Sequence, residues 1–459
     1  MLAAVVLALA GFIWFFERDR ASTDEREAQS RMLLRVDPDE VAGVDLVSVD
    51  REISFERGSR LRAGEETRQD AAQDEESGVT TRDRWRLTSP LQGPADHFAV
   101  DGMVRSLAEL EKSRTLDDFL AQDVGLEPPR ATVTLHFAEG ESVVVEVGAE
   151  VPASPQMVVR VVGRGEAHVV SSSLWASLEK DVGDWRSKEV FDGSREDIRT
   201  VRLSRDGSSV LLEQRQSGFW VVEPFEDRAD SDKVDSLLRE ITGMRVTDFL
   251  DPSAALSALG LDPPRARVEV SGYGIDGFSV AWGDQAAAGG ANNARVDDLV
   301  FTTVANLDEA LTHESEAWRS KKLSAFPVYQ VDGVEIEEAG ELLELTRDEG
   351  SWLRGDDRID FAAVSDLLYQ ISEAVAERLV PVPPAAELGM ARLVIRYRSS
   401  SGASERLEIF EETSAGLTPA LVEGRPTLLL LPSGVRKDIE GRLMAVREAE
   451  AVADELEQG

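Results

Sequence analysis

The feature that most constrains this chain is that it repeats itself. Trp85, Trp220 and Trp352 recur 135 and 132 residues apart, and each is followed by the same apolar pattern. In the first copy the pattern is Val100, Met103, Val104, Leu107 and Leu110; in the second it is Val234, Leu237, Leu238, Ile241 and Met244, each 134 residues further on. The third copy keeps Val364, Leu367, Leu368 and Ile371. Offsets of three and four put these residues on one stripe of an amphipathic helix. Asp96, Asp230 and Asp360 stand just ahead, where a carboxylate can accept from the free amides of a first helical turn. One folding module used three times is the economical reading of 459 residues.

The rest of the module follows the same comparison. Gly125-Leu126-Glu127-Pro128-Pro129-Arg130-Ala131 is matched by Gly260-Leu261-Asp262-Pro263-Pro264-Arg265-Ala266, and the third copy retains Leu388-Gly389-Met390-Ala391-Arg392. Glycine supplies a left-handed turn and proline forbids renewed helix, so this is a junction into strand. Alternating runs follow at 132–137, 266–270 and 393–397, with further β-like runs at 142–147 and 278–282. Each copy opens on a hairpin signal: Val201 to Leu203 through Asp206-Gly207 to Leu212, Val334 to Ile336 through Gly340 to Leu343, and Val44 to Leu46 in the first. A polar insert, 58–83, interrupts the first copy and reads as a loop. The first two copies close on a short helix and then Trp185-Arg186-Ser187-Lys188 and Trp318-Arg319-Ser320-Lys321. The expected class is α+β: three similar units at 36–190, 191–325 and 326–446, each with a hairpin, an amphipathic helix, a mostly antiparallel sheet and a closing helix. An acidic tail, 447–459, ends the chain.

Leu2 to Phe16 is an unbroken apolar run ending at Glu17-Arg18-Asp19-Arg20. As a helix it would span ~22 Å against a hydrocarbon core of ~30 Å, with Trp14, Phe15 and Phe16 at the membrane boundary. Ala8-Leu9-Ala10 is followed by more apolar residues, which argues against signal cleavage, so residues 1–20 are expected to be an uncleaved anchor. No Lys or Arg precedes the run while Arg18, Arg20 and Arg26 follow it, and the charge rule taken alone would keep the body in the cytoplasm. A start placed downstream of the true one would account for the short span and the missing basic flank.

Composition removes several classes of function. Lys+Arg 50 against Asp+Glu 87 leaves a formal charge of −37, which argues against phosphate-backbone recognition. Cys 0 removes disulfides, thiolate metal sites and cysteine nucleophiles. The histidines, His97, His136, His168 and His313, have no partner at a ligand-like spacing and differ among copies, so all read as surface residues and no metal is expected. Gly272-Tyr273-Gly274-Ile275-Asp276-Gly277 spells a dinucleotide pattern, but strand follows it where helix is required, so it reads as a hairpin turn and no cofactor is expected. Ser177-Leu178-Glu179-Lys180 lacks the companion motifs of acyl-transfer enzymes. What remains is the repeated closing motif. Trp185, Arg186, Lys188, Trp318, Arg319 and Lys321 are the candidate partner-binding residues, against the plainer reading that the indoles pin the closing helix while the cations stay in water.

Phe15-Phe16-Glu17-Arg18, Val36 to Leu46, Trp85 to Pro90, the Gly-Leu-x-Pro-Pro junctions and the Trp-Arg-Ser-Lys closings together resemble an uncharacterised bacterial family, the domain-of-unknown-function family numbered 4340. The resemblance covers most of the chain and rests on packing signatures. It implies a single-pass inner-membrane anchor with the body outside the cytoplasm, and an accessory role beside ABC-type transport or gliding-motility proteins. It supplies no catalytic residues. The expected function is therefore a non-enzymatic, membrane-anchored accessory or scaffold protein of an envelope transport or motility complex. The alternatives are an extracytoplasmic binder or sensor of an envelope glycan or peptide, whose pocket residues would differ among copies, and a carboxylate-dependent hydrolase.

Overall fold

The computed structural model describes residues 31–58, 84–216, 218–251, 253–287, 289–399 and 402–457. The apolar run 2–16 and residues 59–83 of the polar insert lie outside them. Each repeat builds one nine-stranded sheet. With strands numbered one to nine within a repeat, the spatial order is 4-3-2-1-6-7-8-9-5 all three times. Every adjacent pair is antiparallel. The chain divides into two compact units, Met1–Lys188 with the first repeat and Glu189–Gly459 with the second and third.

One helix per repeat explains this order. Helices α1 (His97–Ala108), α2 (Ser231–Thr242) and α3 (Phe361–Ser372) each have twelve residues and connect strand four at one edge to strand five at the other. Their N-caps are Asp96, Asp230 and Asp360, whose carboxylates accept from first-turn amides as the sequence predicts. The stripe of each helix lies against the alternating inward residues of its sheet. In the first repeat Val100, Met103, Val104 and Leu107 meet Leu46, Phe55, Val133, Val145 and Trp85 in one buried cluster. The third cluster repeats this around Trp352, whereas the second is built around Trp282, which comes from strand seven and is not the counterpart of Trp85. Removing some thirty apolar side chains per repeat from water is the dominant stabilising term, at roughly 1.5–3 kcal/mol for each large one before the opposing chain entropy.

The hairpins form where expected. Asp206-Gly207 and Ala339-Gly340 turn with φ positive at both residues, the geometry whose twist matches a two-residue hairpin. Gly125 and Gly260 are left-handed at φ 68°, and a Cβ on either would meet backbone at 2.8 Å, so the Gly-Leu-x-Pro-Pro junction requires glycine. The glycine-rich 272–277 stretch is the predicted hairpin, Gly272 opposite Ile275.

The α+β expectation is corrected to a mostly β architecture, because each repeat adds strands eight and nine, such as Gln156–Val161 and Ala167–Ser171, whose near-continuous burial gives no alternation to read. The closing elements also diverge. The first repeat ends on helices Ser173–Leu178 and Val182–Trp185, and the second on Asp308–Thr312 and a 3-10 turn, Ser315–Trp318. The third ends on α4 (Val435–Glu457), which buries Ile439, Leu443 and Val446 and runs through residue 446 into the acidic tail. Among the described residues no helix is long and apolar enough to cross a membrane.

Candidate functional site

The two Trp-Arg-Ser-Lys motifs occupy the same place. The Trp185 carbonyl accepts from Asp96 N at 2.8 Å and the Trp318 carbonyl from Asp230 N at 2.8 Å, while Ser187 N and Ser320 N donate to the carbonyls of Pro94 and Arg228 at 2.9 Å. The motif is thus a clip that ties the closing helix to strand four and to the helix cap. Both indoles are buried, at 0% and 1% exposure, so neither offers a surface. Lys321 is exposed, and Lys188 and Arg186 are half-buried; burial disfavours the charge on Arg186. The expectation that the cations stay in water is corrected for Arg319, which turns inward and pairs with Asp227 at 2.8 Å.

Arg319 thereby joins an ionic seam between the second and third repeats. Asp227 lies in strand four of the second repeat and is fully buried. It accepts from Arg425 Nε at 2.8 Å, Arg319 Nε at 2.8 Å, Thr427 Oγ1 at 2.9 Å and Arg228 N at 2.8 Å. Burial pushes its pKa up, but these donors and charges prevail and hold the carboxyl below its ordinary value. Arg228 Nη2 donates to Glu405, which also accepts from Ser324 Oγ at 2.7 Å. Burial pulls the Arg228 guanidinium below its usual value despite Glu405. Arg425 Nη2 donates to the Ser320 carbonyl at 2.8 Å, so the seam grips the clip itself. With Glu316 bonded to Arg319 at the rim, three guanidiniums face three carboxylates. Sequence reading reached only Arg319. Its partners Asp227 and Thr427 are 92 and 108 residues away in the chain. The available signal was copy-specific charge: Asp227-Arg228 stands where the first repeat has Gly93-Pro94.

The second repeat also carries a cleft of about 1000 Å³ between its opening hairpin and its closing turn. Ser208, Ser209, Asp206 and Glu223 line one side, and His313, Glu314 and Trp318 the other. Register shows what differs from the first repeat. Leu46 pairs with Ile53 and Leu203 with Val210, so Arg51 and Ser208 are equivalent positions. Counting back from the closing tryptophans, Lys180 and Asp181 correspond to His313 and Glu314. In the first repeat Arg51 Nη1 donates to the Lys180 carbonyl at 2.7 Å and to Asp181 Oδ1 at 3.1 Å. The Lys180 carbonyl accepts from Trp185 Nε1 at 3.3 Å as well. In the second repeat Ser208 is too short to reach, and Trp318 Nε1 is buried with no acceptor. The third repeat restores the tie from the other side: Arg447 on α4 reaches Glu338 at 3.1 Å and Glu341 at 3.6 Å.

The histidines supply no centre. His136 is a half-exposed strand residue paired with Asp45 at 2.7 Å, as its alternation suggests. His168 corrects the surface expectation: it is buried on strand nine opposite Thr115 of strand five, 3.2 Å from Thr115 Oγ1, and burial pushes its pKa down. Among the described residues no group of three or more His, Asp or Glu side chains is arranged to hold a metal ion.

Fold and sites together define a β-repeat protein whose matched residues are caps, core indoles and turn glycines, and whose unmatched residues make a seam and a cleft. The chain belongs to the family described as Domain of unknown function (DUF4340), whose model matches residues 85–264 and 251–392. Both matches cross the borders between repeats, consistent with one recurring module. No curated protein matches the sequence.

Proposed function

We propose that this protein is a non-enzymatic accessory or scaffold component of a bacterial envelope transport or motility assembly. In this reading residues 2–16 anchor it in the inner membrane, with the repeats outside the cytoplasm. The supporting observation is the seam. A buried ion network resists a hinge between the second and third repeats, because opening it would strand Asp227 and Arg425, whose side chains are both fully buried. Such a body is suited to holding partners at a fixed spacing. The transport setting comes from the family resemblance, and the acidic body favours partners with basic surfaces. The test is purification of the native protein in mild detergent followed by mass spectrometry of what accompanies it. Stoichiometric recovery of a membrane transport or motility subunit is expected; recovery of the protein alone would end the scaffold reading.

A second reading, capture of an extracytoplasmic ligand, is favoured by the second-repeat cleft, whose lining differs from the same place in the first and third repeats.

A further inference from the structure

The cleft of the second repeat is the place where the module lacks an internal bond that its sister copies make. In the first repeat a guanidinium, Arg51, occupies the space between hairpin and closing turn and binds a carbonyl and a carboxylate there. In the third repeat another guanidinium, Arg447, bridges the same hairpin to the closing helix. In the second repeat the hairpin carries Ser208 and the closing turn carries His313 and Glu314, so the receiving side is kept and the guanidinium is missing.

We infer that this cleft receives an arginine side chain carried by a partner protein. Three observations on the site converge. Its lining is acidic: Asp206, Glu223 and Glu314 stand against Arg205 alone. Arg205 is bonded to Asp206 and Glu223 to Arg202, whereas Glu314 makes no ion pair among the described residues and no capping bond to its own turn. The third observation is Trp318, 1% exposed, lining the cleft with its Nε1 lacking an acceptor. An arginine donating to the His313 carbonyl and to Glu314 would draw the 313–314 turn toward the position that 180–181 holds in the first repeat. That carbonyl would then accept from Trp318 Nε1, as the Lys180 carbonyl does from Trp185. A flat, forked, permanently charged group suits a carbonyl next to a carboxylate better than a lysine ammonium.

The inference names the chemistry of one contact and so rests on the scaffold reading, but it can fail separately. The direct test is titration of the full chain with N-acetyl-arginine amide, followed through the indole ¹⁵N–¹H signal assigned to Trp318 by its loss in Trp318→Phe. A saturable shift at concentrations on the order of millimolar is expected, about 4 kcal/mol shared among the carbonyl, the carboxylate and the restored indole bond. The citrulline analogue, neutral at the same shape, should give none, and Glu314→Gln should weaken binding roughly tenfold. Ser208→Arg should fill the cleft internally and abolish the shift. An unmoved Trp318 signal, an equal response to citrulline, or full binding by Ser208→Arg and by Glu314→Gln would each overturn the inference. If a membrane partner co-purifies with the native chain and equally with Ser208→Arg, the scaffold reading stands and the arginine site falls.

Discussion

Replacing Asp227 by Asn tests whether the seam holds the second and third repeats together. Asn keeps one oxygen, enough for Arg425 Nε and Arg228 N, but places an amide donor against Arg319 Nε and Thr427 Oγ1, which now bond to Asp227 at 2.8 and 2.9 Å. It also removes the negative charge facing two guanidiniums, one of them with a fully buried side chain. Breaking a buried pair from one side typically costs 3–5 kcal/mol, and the retained oxygen puts Asn at the lower end, about 3 kcal/mol. For a unit of this size that lowers Tm by about 6–12 °C. Calorimetry is the assay, because weakening an interface between neighbouring repeats should also split one transition into two. Adding Arg425→Met removes a stranded cation and should recover at least ~1 kcal/mol. A loss below ~1 kcal/mol, or strictly additive effects in the double variant, would refute the view that these buried charges act as one unit.

Acidification should act on the same seam. Because the Asp227 carboxyl is held below its ordinary value, its stabilisation is present above the unfolded value near ~3.9 and is lost as pH falls through the folded one; Asp227→Asn should remove that part of the acid limb in urea titrations. His168 acts in Met1–Lys188 at milder pH: its folded value is lowered, so its contribution is full above ~6.5 and declines below it, and His168→Asn should flatten the difference in urea midpoint between pH 7.5 and 5.5. Arg51→Ser should destabilise that unit by about 1 kcal/mol, nearly all from the lost bond to the Lys180 carbonyl, since Asp181 is 91% exposed. Gly283→Ala should cost more than about 2 kcal/mol, as its Cβ would sit 2.3 Å from the Leu259 carbonyl oxygen, while Gly441→Ala on α4 meets nothing within 4 Å and should stabilise by about 0.5–1 kcal/mol; chemical denaturation separates the two.

The legible parts of the structure are those written in short-range pattern. Asp96, Asp230 and Asp360 cap helices because a carboxylate just ahead of an apolar stripe finds free amides within one turn. Asp206-Gly207 turns a hairpin because both residues tolerate positive φ. The closing tryptophans, offered as partner-binding candidates, are core as the plainer reading had them, whereas Arg319 did not read as buried, because nothing next to it names Asp227. His168 read as exposed because no neighbour in sequence reveals that strand five pairs beside it. The cleft left no legible sign in the sequence: Arg51, Ser208 and Glu341 become a comparison only once pairing register makes the three positions equivalent.

The sequence alone therefore determined a module, its threefold use, its caps, hairpins and apolar faces, since each depends on residues a few positions apart. Tertiary structure decided the strand order that carries strand five to the far edge, the seam that joins two repeats, and the place where one repeat lacks its arginine. The physical reason is range. Alternation says which face of a strand is buried but not which strand lies beside it, and a charge about a hundred or more residues from its partner leaves no mark until the chain has closed that loop.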